Sequence, residues 1–398
     1  MLSVEDYRDR VLAGISRLSA IELPLTAVEG CVLAENVTAA VSLPSFDNSS
    51  MDGYAVLASD LASASTASPV DLRVIDDVPA GGVSRTTVTR GTAIRIMTGA
   101  AMPDGADAVI PVELTDAGTT FVQIIGSVNS GAYIRRTGED VRAGAVVLPA
   151  GTLIESRQIA LLAACGHGTV RVYPQPRIAV IATGSELVEP GEPLGPGMIH
   201  DANSFMLLAA AREAGAQAYR VGPLADDDAE FQQAIEDQLH RCDLILTSGG
   251  VSMGAYDTVK AVLSKLGTVH FMKVAMQPGM PQGHGRIEGT PIITLPGNPV
   301  SSYVSFELFV RPAIRKMRGL STLQRATTTA TCLTAMDSPR GKRQFARARF
   351  VDGGVEATGT GQGSHVLGGL AEAEALIVIP EDVARVDAGD DVTVIDLR

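Results

Sequence analysis

At 398 residues, with 45% hydrophobic and 19% charged side chains, the chain is too long for one ordinary core and too apolar for general disorder. Two or three globular domains of about 150 residues each are expected. The formal charge is −13, from 32 basic against 45 acidic residues, and no basic block interleaved with aromatics interrupts it, which argues against nucleic acid as a partner.

An acidic chain that binds phosphates or oxyanions must use helix N-termini, a few placed cations or a divalent metal. No apolar run approaches the roughly 20 residues needed to cross a bilayer, and residues 1–20 are amphipathic and charged without a signal-peptide core. A cytoplasmic location with no membrane partner is expected. Cys31, Cys165, Cys242 and Cys332 lie far apart, a spacing that predicts buried thiols rather than a zinc knuckle or a disulfide framework. His167 and His284, both flanked by glycine, read as turn residues.

Val4, Tyr7, Val11, Ile15 and Leu18 recur at helical spacing, predicting an amphipathic helix over 3–18. From 23 to about 173 short alternating runs rich in Gly, Thr and Val predict β structure. Three stretches in this region carry polar residues that surface decoration does not explain. In Pro44-Ser-Phe-Asp-Asn-Ser-Ser-Met-Asp-Gly-Tyr-Ala55, Phe46, Met51 and Tyr54 would anchor a turn that fixes Asp47 and Asp52. A strand-like run ends in Thr98-Gly99, and Ile134-Arg-Arg-Thr-Gly-Glu-Asp140 sets two arginines ahead of two carboxylates.

From 177 onward strands and helices alternate. Strands are predicted at 178–182, 218–221, 244–246, 269–274 and 291–295, with helices at 203–215, 226–239, 258–266 and 300–318. This alternation predicts a doubly wound, mostly parallel sheet. Ligands bind such sheets at the carboxyl ends of strands, where Glu186, Asp226, the run Ser248-Gly-Gly-Val-Ser-Met-Gly-Ala-Tyr-Asp257 and Gly297 to Ser301 stand. Gly249 and Gly250 allow a tight turn with bare N–H groups, and Ser252 adds a hydroxyl. After 320 only strands are predicted, at 327–333, 344–351, 355–358, 374–379 and 391–395, which suggests a β-barrel or sandwich of about 75 residues.

Six strings in order, Met51-Asp-Gly-Tyr-Ala55, Ile96-Met-Thr-Gly-Ala100, Gly138-Glu-Asp140, Thr183-Gly-Ser-Glu-Leu187, Thr247-Ser-Gly-Gly-Val-Ser-Met-Gly254 and Leu295-Pro-Gly-Asn-Pro-Val-Ser301, give a chain that resembles the MoeA/gephyrin family of molybdopterin molybdenumtransferases. The resemblance implies a multi-domain α/β fold. Its parts are a three-layer doubly wound domain from 1–24 and 176–322, an elongated β-rich domain from 25–41 and 143–175, a mixed inserted domain from 42–142, and a small C-terminal β-barrel from 323–398. It implies a cytosolic homodimer that inserts molybdate into adenylylated molybdopterin with magnesium, releasing AMP. An upstream adenylyltransferase and acceptor molybdoenzymes are the further partners it brings. Two alternatives share parts of this architecture: a molybdopterin adenylyltransferase, and a non-catalytic molybdopterin-binding scaffold.

By the same resemblance Asp52, Thr98, Asp140, Glu186 and Asp257 are the catalytic candidates, the first three expected from the opposite subunit. Asp226 and Asp257 are the candidate magnesium ligands, with Asp227 an alternative to Asp226. Ser248, Gly249, Gly250, Ser252, Lys273, Pro281, Gly297, Asn298, Ser301 and Arg343 are expected to bind the substrates. The chain departs from the family at Gln277 and Met280, where lysines are common, and Lys273, Arg343 and Arg347 are the cations expected to compensate.

Overall fold

The structure, a computed structural model, describes residues 1–249, 258–359 and 361–398. The chain divides into two compact units. One comprises Met1–Ile21, Gly30–Ala34 and Arg171–Arg398, the other Glu22–Glu29 and Glu35–Val170.

The first unit is built on a six-stranded sheet ordered Gln217–Leu224, Arg177–Thr183, Leu244–Ser248, Thr290–Leu295, Pro281–Ile287, Thr268–Lys273. Its first four strands are parallel, and Pro281–Ile287 is antiparallel to both neighbours. Side chains alternate across it with the two-residue period of a strand. Ile178, Val180, Leu244 and Leu246 pack with the helices Val4–Ala13 and Asn203–Glu213, while Ala179, Ile181 and Ile245 pack with Asp228–Gln238 and Thr258–Leu266. Burial of both faces is why these strands read as continuous apolar runs.

Three expectations for this unit need correction. The N-terminal helix spans only Val4–Ala13, with Ser3 Oγ accepting from Asp6 N–H and Gly14 closing it; Ile15 and Leu18 continue the apolar period beyond its end and still reach the core. The helix expected over 300–318 is two α-helical segments, Pro299–Ser305 and Arg311–Met317, joined by a π-helical turn, Phe306–Val310. Pro312 has no N–H to continue the ladder, and the wider turn absorbs the break.

The third is the strand Pro281–Ile287, which carries no strand signal because a proline and two glycines occupy it. His284 therefore stands in a strand, not a turn. The glycines are required by the neighbours: a Cβ on Gly283 would lie 2.1 Å from Thr294 Oγ1 and 2.9 Å from the Phe271 ring, and one on Gly285 2.1 Å from the Thr268 carbonyl. Gly283→Ala is expected to lower the unfolding free energy by about 1–3 kcal/mol through overpacking, read as a reduced urea midpoint with unchanged slope.

Within the same unit a second sheet orders Met276–Gln277, Arg343–Val351, Ala375–Ile379, Asp391–Asp396 and Thr327–Thr331, with Gly354–Ala357 paired to Arg343–Val351. An isolated bridge joins Cys332 to Val355.

The second unit carries a five-stranded mixed sheet ordered Ala108–Pro111, Gly53–Val56, Thr92–Ile96, Val70–Val78, Phe121–Ile124. Tyr54 and Val56 face one core cluster, Ala55 and Ile94 another. A helix, Ser156–Ala164, lies within the stretch expected to be β-rich, opened by a capping box of Glu155 and Gln158. All four cysteines are buried and none is in a disulfide. Among the described residues no helix is long and apolar enough to cross a membrane.

Candidate active site

The polar strand ends of the first unit come together because their strands are neighbours. Ala182 pairs with Ser248, Ser248 with Leu295, and Thr183 with Leu224. The chain leaves these positions as Gly184-Ser-Glu186, Asp226, Gly249 and Gly297-Asn298. Gly249 has φ +102°, and a Cβ there would sit 2.6 Å from the Thr183 carbonyl, so only glycine fits. Its N–H donates to Leu295 O at 3.2 Å. A Cβ on Gly297 would be 3.7 Å from Gly249 Cα, so two bare backbones meet at the centre of the edge.

Asn203 ties this centre together. Its Nδ2 donates to Ser248 Oγ at 2.8 Å and to Gly297 O at 2.6 Å, while its Oδ1 is buried with no partner among the described residues. Asn203 is thus not spent on capping its helix, where the carboxylate of buried Asp201 accepts from Ser204 N–H at 3.0 Å. Arg220 in turn donates to Asp201 at 3.2 Å and to Ser204 Oγ at 2.6 Å. The only sequence signal for Asn203 was an amide placed just inside a helix start after a polar run.

Among the carboxylates, capping separates Asp226 from Asp227. Asp227 Oδ1 accepts from Ala229 and Glu230 N–H at 3.0 and 2.8 Å, a full cap for Asp228–Gln238. Asp226 makes a different exchange: its Oδ2 accepts from Ser185 N–H at 3.1 Å and its own N–H donates to Ser185 Oγ at 2.9 Å. Asp226 is exposed at the strand ends and held against the turn that carries Glu186. The Glu186 carboxylate folds over Gly184, reaching 2.7 Å from where a Cβ would stand.

The remaining positions differ in what they offer. Lys273 is exposed at the end of its strand, paired with Pro281. Asn298 donates to Ser364 Oγ at 3.0 Å, and Ser301 is buried. Arg343 is held between Glu5 and Glu381. Arg347 is fully buried and donates to Val366 O, Gly361 O and Gln362 Oε1. Both guanidiniums are thus engaged within the fold, leaving Lys273 as the exposed cation of the three. Gly250, Ser252 and Asp257 lie outside the described residues.

In the second unit, exposed Asp52 accepts from Thr98 N–H at 2.7 Å and from Thr98 Oγ1 at 2.8 Å. The backbone bond and then the hydroxyl hold its carboxyl below the ordinary aspartate range. Asp52 and Thr98 therefore form one site, fixed by the pairing of Gly53 with Ile96. Asp140 is not joined to them. The turn at 136–140 is organised by Asp47, which accepts from Thr137 N–H at 2.7 Å and from Arg136 at 2.7 Å, and Asp140 lines an adjoining open cavity of about 810 Å³ with Arg136, Glu139 and Arg142.

Comparison with known proteins covers the whole chain. Residues 2–166 match the MoeA N-terminal region (domain I and II), 179–316 a probable molybdopterin binding domain, and 329–397 the MoeA C-terminal region (domain IV). A Mycobacterium tuberculosis protein named molybdopterin molybdenumtransferase 2 is 48% identical over 407 residues, covering 100% of both chains. The molybdopterin molybdenumtransferase of Haemophilus influenzae is 36% identical over 403 residues, covering 99% of this chain and 98% of its own. A crystal structure of the molybdopterin biosynthesis MoeA protein from Pyrococcus horikoshii superposes with TM-score 0.83 at 31% identity, covering 100% of this chain and 99% of the other. With its strand-end glycines, its Asp52–Thr98 pair and matches running from one terminus to the other, the chain belongs to the MoeA family.

Proposed function

We propose that the chain is a molybdopterin molybdenumtransferase that inserts molybdate into adenylylated molybdopterin and releases AMP. The observation that carries this is end-to-end identity with a protein of that name, together with the cluster of glycines, hydroxyls and carboxylates at the strand ends. Water adds across the substrate's phosphoanhydride, leaving a phosphomonoester on the pterin and freeing AMP, and the two dithiolene thiols give their protons to one molybdate oxygen, which leaves as water as both sulfurs bond the metal. Magnesium, when bound, neutralises phosphate charge and accepts oxygen ligands, usually one or two carboxylates with waters and phosphate oxygens. Asp226 fits that demand, being exposed and spending one oxygen on Ser185 N–H; Asp257 is the second ligand we assign.

Ser248 and Lys273 supply hydroxyl and ammonium groups to the oxyanions, Gly249, whose N–H is taken by Leu295 O, leaves room for them beside the backbone, and Gly250 and Ser252 continue the run. Gly297, Asn298, Ser301 and Pro281 shape the substrate side, and Glu186 supplies a carboxylate. Asp52, Thr98 and Asp140 complete the site from the opposite subunit of a cytosolic homodimer. The domain division at 24/25, 41/42, 142/143, 175/176 and 322/323, a three-layer central domain and a C-terminal barrel closed at the Cys332–Val355 bridge belong to the same reading. An adenylyltransferase would have no use for the Asp52–Thr98 pair, and a pure scaffold none for the exposed carboxylates.

The test separates two adjacent aspartates. Asp226→Asn is expected to raise the magnesium requirement at least about tenfold, the loss of one charged ligand, with an unchanged melt. Asp227→Ala is expected to cost about 1 kcal/mol of stability as a lost cap with turnover unchanged. Equal effects of the two on magnesium dependence would remove Asp226 from the metal site.

A further inference from the structure

A cavity of about 210 Å³ lies between the first helix and the edge of the six-stranded sheet, lined by Arg10, Val11, Ile15, His270, His284, Arg286 and neighbours. It is separate from the candidate active site. It borders Pro291 to Ile293 at the start of the strand Thr290–Leu295, whereas the active-site loops follow Leu295. Strand register builds its wall: His270, His284 and Ile293 form one cross-strand row, and Thr268, Arg286 and Pro291 another. Both rows face the first helix and its exit, where residues 10, 11, 14 and 15 close the other side.

The lining is cationic and contains no carboxylate, in a chain whose net charge is −13. Arg286 is held rigid by donating to Gly289 O and Gly14 O, each at 2.5 Å, which uses two of its five N–H donors. Arg10 makes no ion pair among the described residues. Among the described residues His284 Nδ1 and the hydroxyl of Tyr7 are buried without a hydrogen-bond partner, and the Tyr7 ring meets His284 edge-on at 5.1 Å. Burial, then the positive fields of His270 and Arg10, push the His284 imidazole down to about 4, so the ring is neutral near pH 7. Val11, Ile15 and Ile293 add an apolar wall.

We infer that this cavity binds a short aliphatic carboxylate, its head on Arg10, Arg286 and His284 and its tail on Val11, Ile15 and Ile293. The volume sets the size class, since it is below the about 300–1,000 Å³ of pockets for larger ligands. The apolar wall favours such a ligand over an inorganic oxyanion, which would leave it unused. This inference is independent of the transferase reading.

The experiment is a titration of the full chain with sodium butyrate at constant ionic strength, followed by long-range ¹H–¹⁵N correlation of the histidine rings, with inorganic phosphate and chloride in parallel. Saturable shifts of His270 and His284 with butyrate alone are expected. Arg10→Gln, on an exposed side chain and checked for an unchanged melt, is expected to weaken binding about tenfold, as loss of one charge-assisted contact does. No saturation, equal response to phosphate or chloride, or an unchanged midpoint in the variant would overturn the inference.

Discussion

Asn203→Ala is expected to reduce molybdate-dependent AMP release by about a hundredfold, a loss of the size that about 1 Å of misplacement in a reacting geometry can cause. The side chain is the only described group that bonds both Ser248 and Gly297, so it sets the spacing between the end of one central strand and the loop after the next. Removing it leaves the Gly297 carbonyl short of its donor beside the backbone of Gly249, so the loop after Leu295 can shift although Gly249 N–H still holds Leu295 O. Each lost bond is worth about 0.5–1.5 kcal/mol, so a melt lowered by a few degrees is expected alongside the much larger loss of turnover. Asn203→Asp is expected to be worse, since a carboxylate would face the Gly297 carbonyl. Turnover within about threefold of the parent, well short of what such a misplacement produces, would show that Asn203 serves only the helix.

Glu307→Gln is expected to lower the unfolding free energy of the first unit by about 3–5 kcal/mol, the usual cost of breaking a buried ion pair from one side. Glu307 is 4% exposed in the π-helical turn. Its Oε2 accepts from Arg311 Nε and Arg325 Nε, both at 2.7 Å, and its Oε1 from Arg311 Nη2 at 3.0 Å. Glu213, more than half exposed, takes the outer sides of both guanidiniums. The four groups balance, and neutralising Glu307 leaves an uncompensated cation between the central helices and the segment entering the C-terminal sheet. Glu213→Gln is expected to cost no more than about 1 kcal/mol, because solvent replaces an exposed partner. Urea unfolding of the two variants checks the ordering, and equal midpoints would contradict it.

The parts of the fold legible in the sequence were those whose side chains carry a period. Strands buried on two faces and the helix Thr258–Leu266 announced themselves through apolar runs and helical spacing. The strand Pro281–Ile287 did not, because its identity lies in the absence of side chains at Gly283 and Gly285, where neighbours occupy the space. The π turn before Pro312 was equally invisible, since its apolar period barely differs from that of a straight helix.

At the site, residue type located the strand-end loops, but only geometry divides Asp226 from Asp227 or shows Arg343 and Arg347 engaged elsewhere. A helix start with Asp, Asn and Ser offers several capping candidates, and only the hydrogen bonds show that Asp201 serves while Asn203 joins Ser248 to Gly297.

The most direct measurement is AMP release by the purified full-length chain incubated with adenylylated molybdopterin and magnesium, with and without molybdate. AMP formed in proportion to added molybdate, together with loss of the adenylylated substrate, is the predicted result. Release that is the same without molybdate, or no release from a fully folded protein, would contradict it.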